Sequence, residues 1–179
     1  MHLKKLVLVT FILFSSISYS QSKKGDMAVS LTASPLTQMN SNNIGIIAKA
    51  GFEIFLSSKI SLQGSFFASN NNVIKSEDTY SINAYGFIPS IQYFFINKQK
   101  INLFGQIGYG FGFDDETRNF GTIENSALRV YSIGAGCNYK LGEKLQLQLI
   151  IPYINAKNMT INQVSVEGIT AFLGFNFIL

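Results

Sequence analysis

The stretch "YGFIPSIQYFFINKQKINLFGQIGYGFGF", residues 85–113, is the densest apolar segment of this 179-residue chain, and it decides the fold. In its second half, the odd positions from Ile101 to Phe113 are bulky apart from Gly105, whereas the even positions are mostly Gly, Asn and Gln. Side chains that alternate with a period of two lie on opposite faces of a β-strand, and a helix would not keep this register. The segment therefore predicts two strands joined by a polar turn at 97–100.

The same alternation recurs along the chain and predicts eight strands, at residues 26–34, 43–57, 60–70, 80–96, 101–114, 127–141, 145–156 and 166–179. Tight turns alternate with longer polar connections, the turns at 57–59, 97–100 and 142–144 and the longer connections at 35–42, 71–79, 115–126 and 157–165. An even number of antiparallel strands with this rhythm predicts an up-and-down barrel with both termini on the side of the tight turns.

Two kinds of eight-stranded barrel fit this pattern, and the distribution of charge separates them. A soluble surface is about a quarter to a third charged, and neither strand face of this chain approaches that fraction. A membrane barrel turns its bulky residues to lipid and its small and polar residues to the lumen. We therefore predict an all-β fold, an eight-stranded antiparallel up-and-down transmembrane β-barrel. A soluble periplasmic ligand-binding barrel would require the opposite assignment of faces.

Aromatic residues on the bulky face gather in two bands. One band lies near the longer connections and contains Phe111, Phe113, Tyr131 and Tyr153, and the other lies near the tight turns and contains Phe95, Tyr139 and Phe177. Membrane barrels carry aromatic girdles at both lipid–water interfaces. The two bands are interpreted as these girdles.

The N-terminus has the pattern of a cleaved signal peptide. A basic start precedes an apolar run that is too short to span a membrane, and a small-x-small pattern ends at Ser20. We predict cleavage between Ser20 and Gln21. Residues 1–20 are then the signal peptide, and residues 21–179 form a single barrel domain.

The predicted mature chain offers little catalytic or metal-binding chemistry. It lacks His2, the only histidine, so a Ser-His-acid or Cys-His arrangement is not available. Cys137 is the only cysteine, which excludes a disulfide or a Cys/His zinc site within the chain. The acidic runs at 77–78 and 114–116 lack the spacing of a calcium-binding loop and are interpreted as solvated loop charge. We predict no enzymatic activity, no metal and no cofactor.

Charge gives no reason to expect a nucleic-acid partner. The 14 basic residues fall to 12 when the two lysines of the predicted signal peptide are removed, against 10 acidic residues. A nearly balanced chain does not present the basic surface that nucleic-acid binding requires.

Three charged residues within the predicted strands are candidate functional residues. Lys49 and Glu53 share the face of the glycines at 45 and 51 and lie about 13 Å apart along one strand, at about 3.3 Å per residue. We interpret them as lumen charges in an ion-pair network with partners from neighbouring strands; the alternative is a selectivity or gating element of a narrow pore. Arg129 has outward parity near the longer connections, within reach of lipid phosphates in the outer leaflet.

With these features, the chain resembles the small porin-like outer-membrane β-barrel domain of Gram-negative bacteria. The resemblance rests on the signal ending at Ser20 and Gln21, the eight alternating strands, the rhythm of short and long connections and the apolar final strand, and it covers residues 21–179. It implies an outer-membrane location, periplasmic termini, extracellular long loops, and contact with lipid and lipopolysaccharide. Family members often end in an aromatic residue that the barrel-assembly machinery reads during insertion, whereas this chain ends "GFNFIL".

The resemblance implies no single activity, because the fold hosts structural proteins, adhesins, narrow pores and a few enzymes. We predict a structural or surface-interaction role with a surface partner that the sequence does not identify. The alternative is a narrow channel for ions or small solutes. Eight strands do not favour a wide diffusion pore, since porin-sized lumens need about sixteen.

Overall fold

The computed structural model describes residues 23–37, 44–75, 78–118, 123–159 and 164–179. The predicted cleavage site at Ser20 and Gln21 lies outside these residues. The described residues form nine strands: β1 (Met27–Thr37), β2 (Ile44–Phe55), β3 (Ile60–Lys75), β4 (Asp78–Asn97), β5 (Ile101–Arg118), β6 (Ile123–Lys140), β7 (Leu145–Asn158), β8 (Val164–Ile169) and β9 (Phe172–Ile178). None of the described residues belongs to a helix that is long and apolar enough to cross a membrane.

The strands form one closed antiparallel sheet. From β1 to β7, each strand pairs with its neighbour in sequence. β8 and β9 both pair with β7 and are the two parts of one eighth strand, and β9 also pairs with β1 and closes the barrel. The prediction of an eight-stranded antiparallel up-and-down barrel is thus confirmed.

The eighth strand is interrupted between β8 and β9. Each neighbouring strand has a proline beside the interruption, Pro152 on β7 and Pro35 on β1. The N–H of Thr170 still donates to the carbonyl of Pro152 on β7, at 3.1 Å. On the other side, Pro35 of β1 has no N–H to donate to a ladder. The hydroxyl of Thr170 donates to the carbonyl of Pro35 at 3.1 Å and contacts the hydroxyl of Ser34. Side-chain hydrogen bonds therefore join the two strands at this interruption.

Strands β3 to β6 are longer than the sequence predicts. They extend past the predicted ends at residues 70, 80, 114 and 127 on the side of the longer connections. The added segments are paired, with Lys75 opposite Asp78 and Thr117 opposite Ile123. The prediction of loops at 71–75 and 115–118 was therefore wrong, and the acidic run at 114–116 lies in β5. Apart from Val73, Ile74 and Ile123, the residues of these segments are polar, so the regular alternation that reveals a strand is missing although the backbone pairing continues.

The two ends of the barrel differ. Tight turns at 56–59, 98–100 and 141–144 lie at one end, which we call the turn rim. The described N- and C-terminal residues also lie there, since the N–H of Gly25 donates to Phe55 and that of Leu179 donates to Met27. In the first turn, the Ser57 hydroxyl accepts from the N–H groups of the following residues, a local bond typical of turns. The opposite end, which carries the longer connections, is the loop rim.

Candidate functional site

The exterior of the barrel between the rims is an apolar belt. In the ladders of β3 to β6, Leu62, Ile91, Ile107 and Ile133 follow one another directly across the strands. All four are exposed, and Ile107 has 60% of its surface accessible. The same outward orientation holds for large apolar residues around the barrel, among them Leu31, Phe66, Phe111, Ile151, Leu173 and Phe175. A contiguous apolar surface of this kind is rare on soluble monomers and marks contact with lipid or another apolar partner.

The aromatic bands lie on this exterior, as the sequence predicts. Six of the seven predicted residues are exposed, three near the loop rim and three near the turn rim: Phe111, Phe113 and Tyr131, and Phe95, Tyr139 and Phe177. Near the loop rim the rings of Tyr109 and Tyr131 pack edge to face with centroids 5.1 Å apart. The seventh, Tyr153, is half-buried and donates from its hydroxyl to Oε1 of Glu167 at 2.6 Å. The soluble alternative needs the reverse orientation and does not fit.

The lumen near the turn rim is filled by an aromatic cluster, which consists of Phe55, Phe94 and Phe104. The Phe94 ring lies 5.5 Å from the Phe55 ring and 5.4 Å from the Phe104 ring, measured between centroids. A side chain at Gly136 would collide with the Phe104 ring, so the glycine leaves the space that the ring occupies. This cluster was not predicted from the sequence, because the alternating pattern indicates a lumen lined by small and polar residues.

Aliphatic residues fill the lumen nearer the loop rim. Ile47, Ile88, Val130 and Ile154 come from four different strands and are all buried in one continuous core. An eight-stranded barrel leaves an interior that side chains just fill, and these residues occupy that interior near the loop rim.

Buried amides lie beside the aromatic cluster. Nε2 of Gln92 donates to Oε1 of Gln63 at 2.9 Å, and Nε2 of Gln148 donates to Oδ1 of Asn138 at 3.0 Å. These bonds join β3 to β4 and β6 to β7 inside the lumen. Each amide pair therefore satisfies part of its own hydrogen-bonding capacity and supports the strand pairing next to it.

Lys49 and Glu53 are both in the lumen, as the sequence predicts, but in different surroundings. Lys49 is 8% exposed, and its Nζ lies 3.9 Å from the centroid of the Phe172 ring on β9. Glu53 is 1% exposed and has the Ser61 hydroxyl and the Asn176 amide beside it. The described contacts of both residues are with uncharged groups and not with the ion-pair partners that the sequence predicts.

Arg129 faces outward at the loop-rim end of β6, as its parity predicts. It lies directly between Phe111 of β5 and Lys157 of β7 in the sheet register. It is half-buried, and its Nε has no hydrogen-bond partner. The prediction of a loop at Lys157 was wrong, since this residue lies in β7. The pair was not predicted, because the spacing of the two cations along the chain does not encode the register that makes them neighbours.

No group of three or more His, Cys, Asp or Glu side chains in the described part of the chain is arranged to hold a metal ion. Asp114 and Asp115 are successive residues of β5, so their side chains point to opposite faces, Asp114 into the lumen and Asp115 outward. The carboxylates of Asp114 and Asp115 therefore do not converge on one point.

Comparison with known proteins gives a fold. No family model and no curated protein matches the sequence. The N-terminal β-barrel domain of Pseudomonas aeruginosa OprF matches with a TM-score of 0.59 and 12% identity, over 89% of this chain and 100% of that one. OprG from Pseudomonas aeruginosa matches with a TM-score of 0.56 and 12% identity, over 90% and 99% of the two chains.

A third solved structure is Ail, the attachment invasion locus protein of Yersinia pestis, in complex with the heparin analogue sucrose octasulfate. It matches with a TM-score of 0.55 and 14% identity, over 87% of this chain and 97% of that one. At such low identity these three structures establish the shared fold. The chain has the fold of the small outer-membrane β-barrels of Gram-negative bacteria.

Proposed function

We propose that this chain, which has the fold of a small Gram-negative outer-membrane β-barrel, resides in the outer membrane and has a structural or surface-interaction role without catalysis. The observation that carries the proposal is the contrast between an exterior that is apolar between the rims and a lumen that is filled with side chains. An apolar exterior suits lipid, and a filled lumen leaves no wide path for solutes.

The filled lumen also supports this role over the alternative of a narrow channel. The aromatic cluster obstructs the turn-rim end, and Ile47, Ile88, Val130 and Ile154 obstruct the loop-rim end. Lys49 and Glu53 lie between these obstructions, and a channel would use them as its selectivity element. We therefore expect the protein to conduct poorly or not at all.

The strand lengths support an interaction surface at the loop rim. β4 has 20 residues, whereas a tilted transmembrane strand needs about 9–11. Polar, paired segments of β3 to β6 form the surplus. We propose that the loop rim is extracellular and the turn rim periplasmic, in keeping with the short periplasmic turns and longer extracellular loops of such barrels. The polar segments then project from the cell as the surface that meets a partner.

The exterior cations support contact with outer-leaflet lipid. Arg129 and Lys157 are direct cross-strand neighbours, and like charges in such positions repel each other. A phosphate group between them would remove this repulsion and would accept charge-assisted hydrogen bonds from both. We propose that the phosphates of lipopolysaccharide occupy this position, and that the barrel-assembly machinery inserts the protein.

The membrane location is tested by fractionation. The protein should require detergent for extraction, and its folded form should migrate differently from the boiled form on a gel. Recovery in the soluble periplasmic fraction would contradict the proposal.

The orientation is tested with epitopes in two connections. An epitope inserted at residues 119–121 should bind antibody on intact cells. The same epitope between Gly142 and Glu143, in a turn-rim connection, should bind only after the outer membrane is permeabilised. The reverse labelling pattern would show that the orientation is wrong.

The absence of a channel is tested with the refolded protein in a planar bilayer. We expect no stepwise conductance above background. If steps appear and their ion selectivity changes in Lys49→Met and Glu53→Gln variants, the channel function replaces our proposal.

A further inference from the structure

Glu53 is the least expected side chain in the lumen. It is almost fully buried, and neither oxygen of its carboxylate makes a hydrogen bond of ordinary geometry. Lys49 does not compensate it, since Lys49 lies four residues farther toward the loop rim on the same strand and its ammonium packs against the Phe172 ring. An ionised carboxylate removed from water without a partner is strongly destabilising. The groups beside the carboxylate, the Ser61 hydroxyl and the Asn176 amide, are uncharged, so they supply polar contacts but no compensating positive charge.

Three buried neighbours also carry oxygens without hydrogen-bond partners. These are the Ser61 hydroxyl, Oε1 of Gln92 and Oδ1 of Asn176, and the Asn176 amide nitrogen, Nδ2, is in the same state; all three residues are fully buried. Ser61 and Asn176 lie beside the Glu53 carboxylate, and Ser61 is directly opposite Gln92 in the register of β3 and β4. The four residues come from four strands that face one narrow lumen, whose interior is about the size of the side chains that fill it.

We propose that Glu53 is the anionic ligand of an enclosed site for a monovalent alkali cation, with further oxygens from Ser61, Gln92 and Asn176. Carboxylate, hydroxyl and amide oxygens are the ligands that hard cations prefer. A single carboxylate neutralises one positive charge. A divalent ion would leave one charge uncompensated in the lumen, which is costly, so the site matches an ion of charge +1.

The aromatic cluster of Phe55, Phe94 and Phe104 lies between this site and the turn rim. Buried aliphatic residues lie between it and the loop rim. An ion in the site would have to enter while the barrel closes, and it would leave slowly from the folded protein. The ion would then stabilise the closed barrel, because a ligand that binds only the folded state shifts the unfolding equilibrium.

The stability test compares refolding in different salts. The full chain is refolded into detergent in sodium, potassium or N-methyl-D-glucamine chloride at equal ionic strength, and the unfolding temperature is measured. We expect the wild type to unfold on the order of 3 °C or more higher in at least one alkali salt than in the organic salt. Glu53→Gln removes the anionic ligand and should give the same temperature in all three salts. The matched control Lys49→Met removes a lumen charge outside the proposed site and should keep the wild-type difference.

A direct test uses the unmodified protein. Thallium(I) is a monovalent ion that scatters X-rays anomalously, so crystals of protein refolded with thallium should show an anomalous peak beside the Glu53 carboxylate. The absence of that peak would overturn the proposal. So would equal salt responses of the wild type and Glu53→Gln, which is the result expected if Glu53 is a neutral acid bonded to the amides. Neither experiment depends on conductance or on cellular location, so the cation site and the proposed function can fail separately.

Discussion

Phe104 and Phe111 belong to the same strand and differ in almost every contact that they make. Phe104 is fully buried in the lumen, between the Phe94 ring and the space left by Gly136. Phe111 is 62% exposed on the exterior, with its ring centroid 6.4 Å from that of Phe87. The lumen position requires a particular shape, because packed neighbours surround it. The exterior position requires only a side chain that is soluble in lipid, because a fluid adapts to it.

The largest effect is expected from Phe104→Ala. Truncation of a buried Phe costs about 3–5 kcal/mol, because a cavity remains where packed neighbours cannot close around it. Phe111→Ala is the matched control and should cost clearly less, since lipid chains fill the vacated volume. Equilibrium unfolding of both variants from lipid vesicles in denaturant measures the two free energies. Equal costs would mean that the lumen is not packed as described.

Charge on the exterior should produce the next largest effect. Ile107→Arg and Leu149→Arg should each lower the free energy of unfolding by about 2–4 kcal/mol if the residues lie near the bilayer midplane. Ile101→Arg, near the turn rim, should cost about 0–1 kcal/mol, because its charge reaches the interface. Gln106→Arg tests the opposite face, where lumen neighbours rather than lipid determine the cost. If Ile107→Arg and Leu149→Arg lower the free energy of unfolding no more than Ile101→Arg does, the assignment of the exterior face is wrong.

A smaller effect is expected inside the lumen, at the contact between Lys49 and Phe172. A desolvated cation–π contact contributes about 1–2 kcal/mol. In a double-mutant cycle of Lys49→Met and Phe172→Leu, the coupling energy should fall in this range and should stabilise the wild-type pair. Replacement of Phe172 should accordingly cost less in the Lys49→Met background. A coupling energy near zero would show that the ammonium does not depend on the ring.

The smallest effect is expected at the exterior hydrogen bond of Tyr153. Its hydroxyl donates to Glu167 near the loop rim, and the loss of such a bond from a partly exposed position costs about 0.5–1.5 kcal/mol. Tyr153→Phe keeps the ring and removes only the donor, so unfolding measurements isolate the bond. In a Glu167→Gln background the same substitution should cost less. A cost as large as that of Phe104→Ala would contradict the distinction between a fluid exterior and a packed lumen.

The faces of the strands were predictable from the sequence because lipid and lumen impose opposite demands on alternate residues. The parity of Phe104 and Gln106 in the sequence already assigned both to the lumen. The contacts between strands were not predictable, since the register that brings Phe94 beside Phe104 arises only when the sheet forms. A bulge in β4 also escaped prediction. It shifts the register between Phe94 and Ile96, so that both Phe95 and Ile96 face outward.

The candidate site was predictable only in part, for the same reason. The sequence identified Lys49 and Glu53 as lumen charges, because charges within alternating segments are conspicuous. It did not identify Phe172 or Asn176 as their neighbours, since both lie on β9, more than 100 residues farther along the chain. Closure of the barrel between β1 and β9 creates those contacts.

Cys137 is the only cysteine of the chain and faces outward from β6, between Leu103 and Leu149 in the register. The native protein therefore carries one thiol inside its apolar belt and needs no engineered attachment point. A nitroxide or fluorescent probe can be coupled to this thiol before refolding. Quenchers attached at defined positions along lipid acyl chains would then measure how deep the probe lies in the membrane. The unmodified sequence thus contains its own reporter of how the barrel sits in a bilayer.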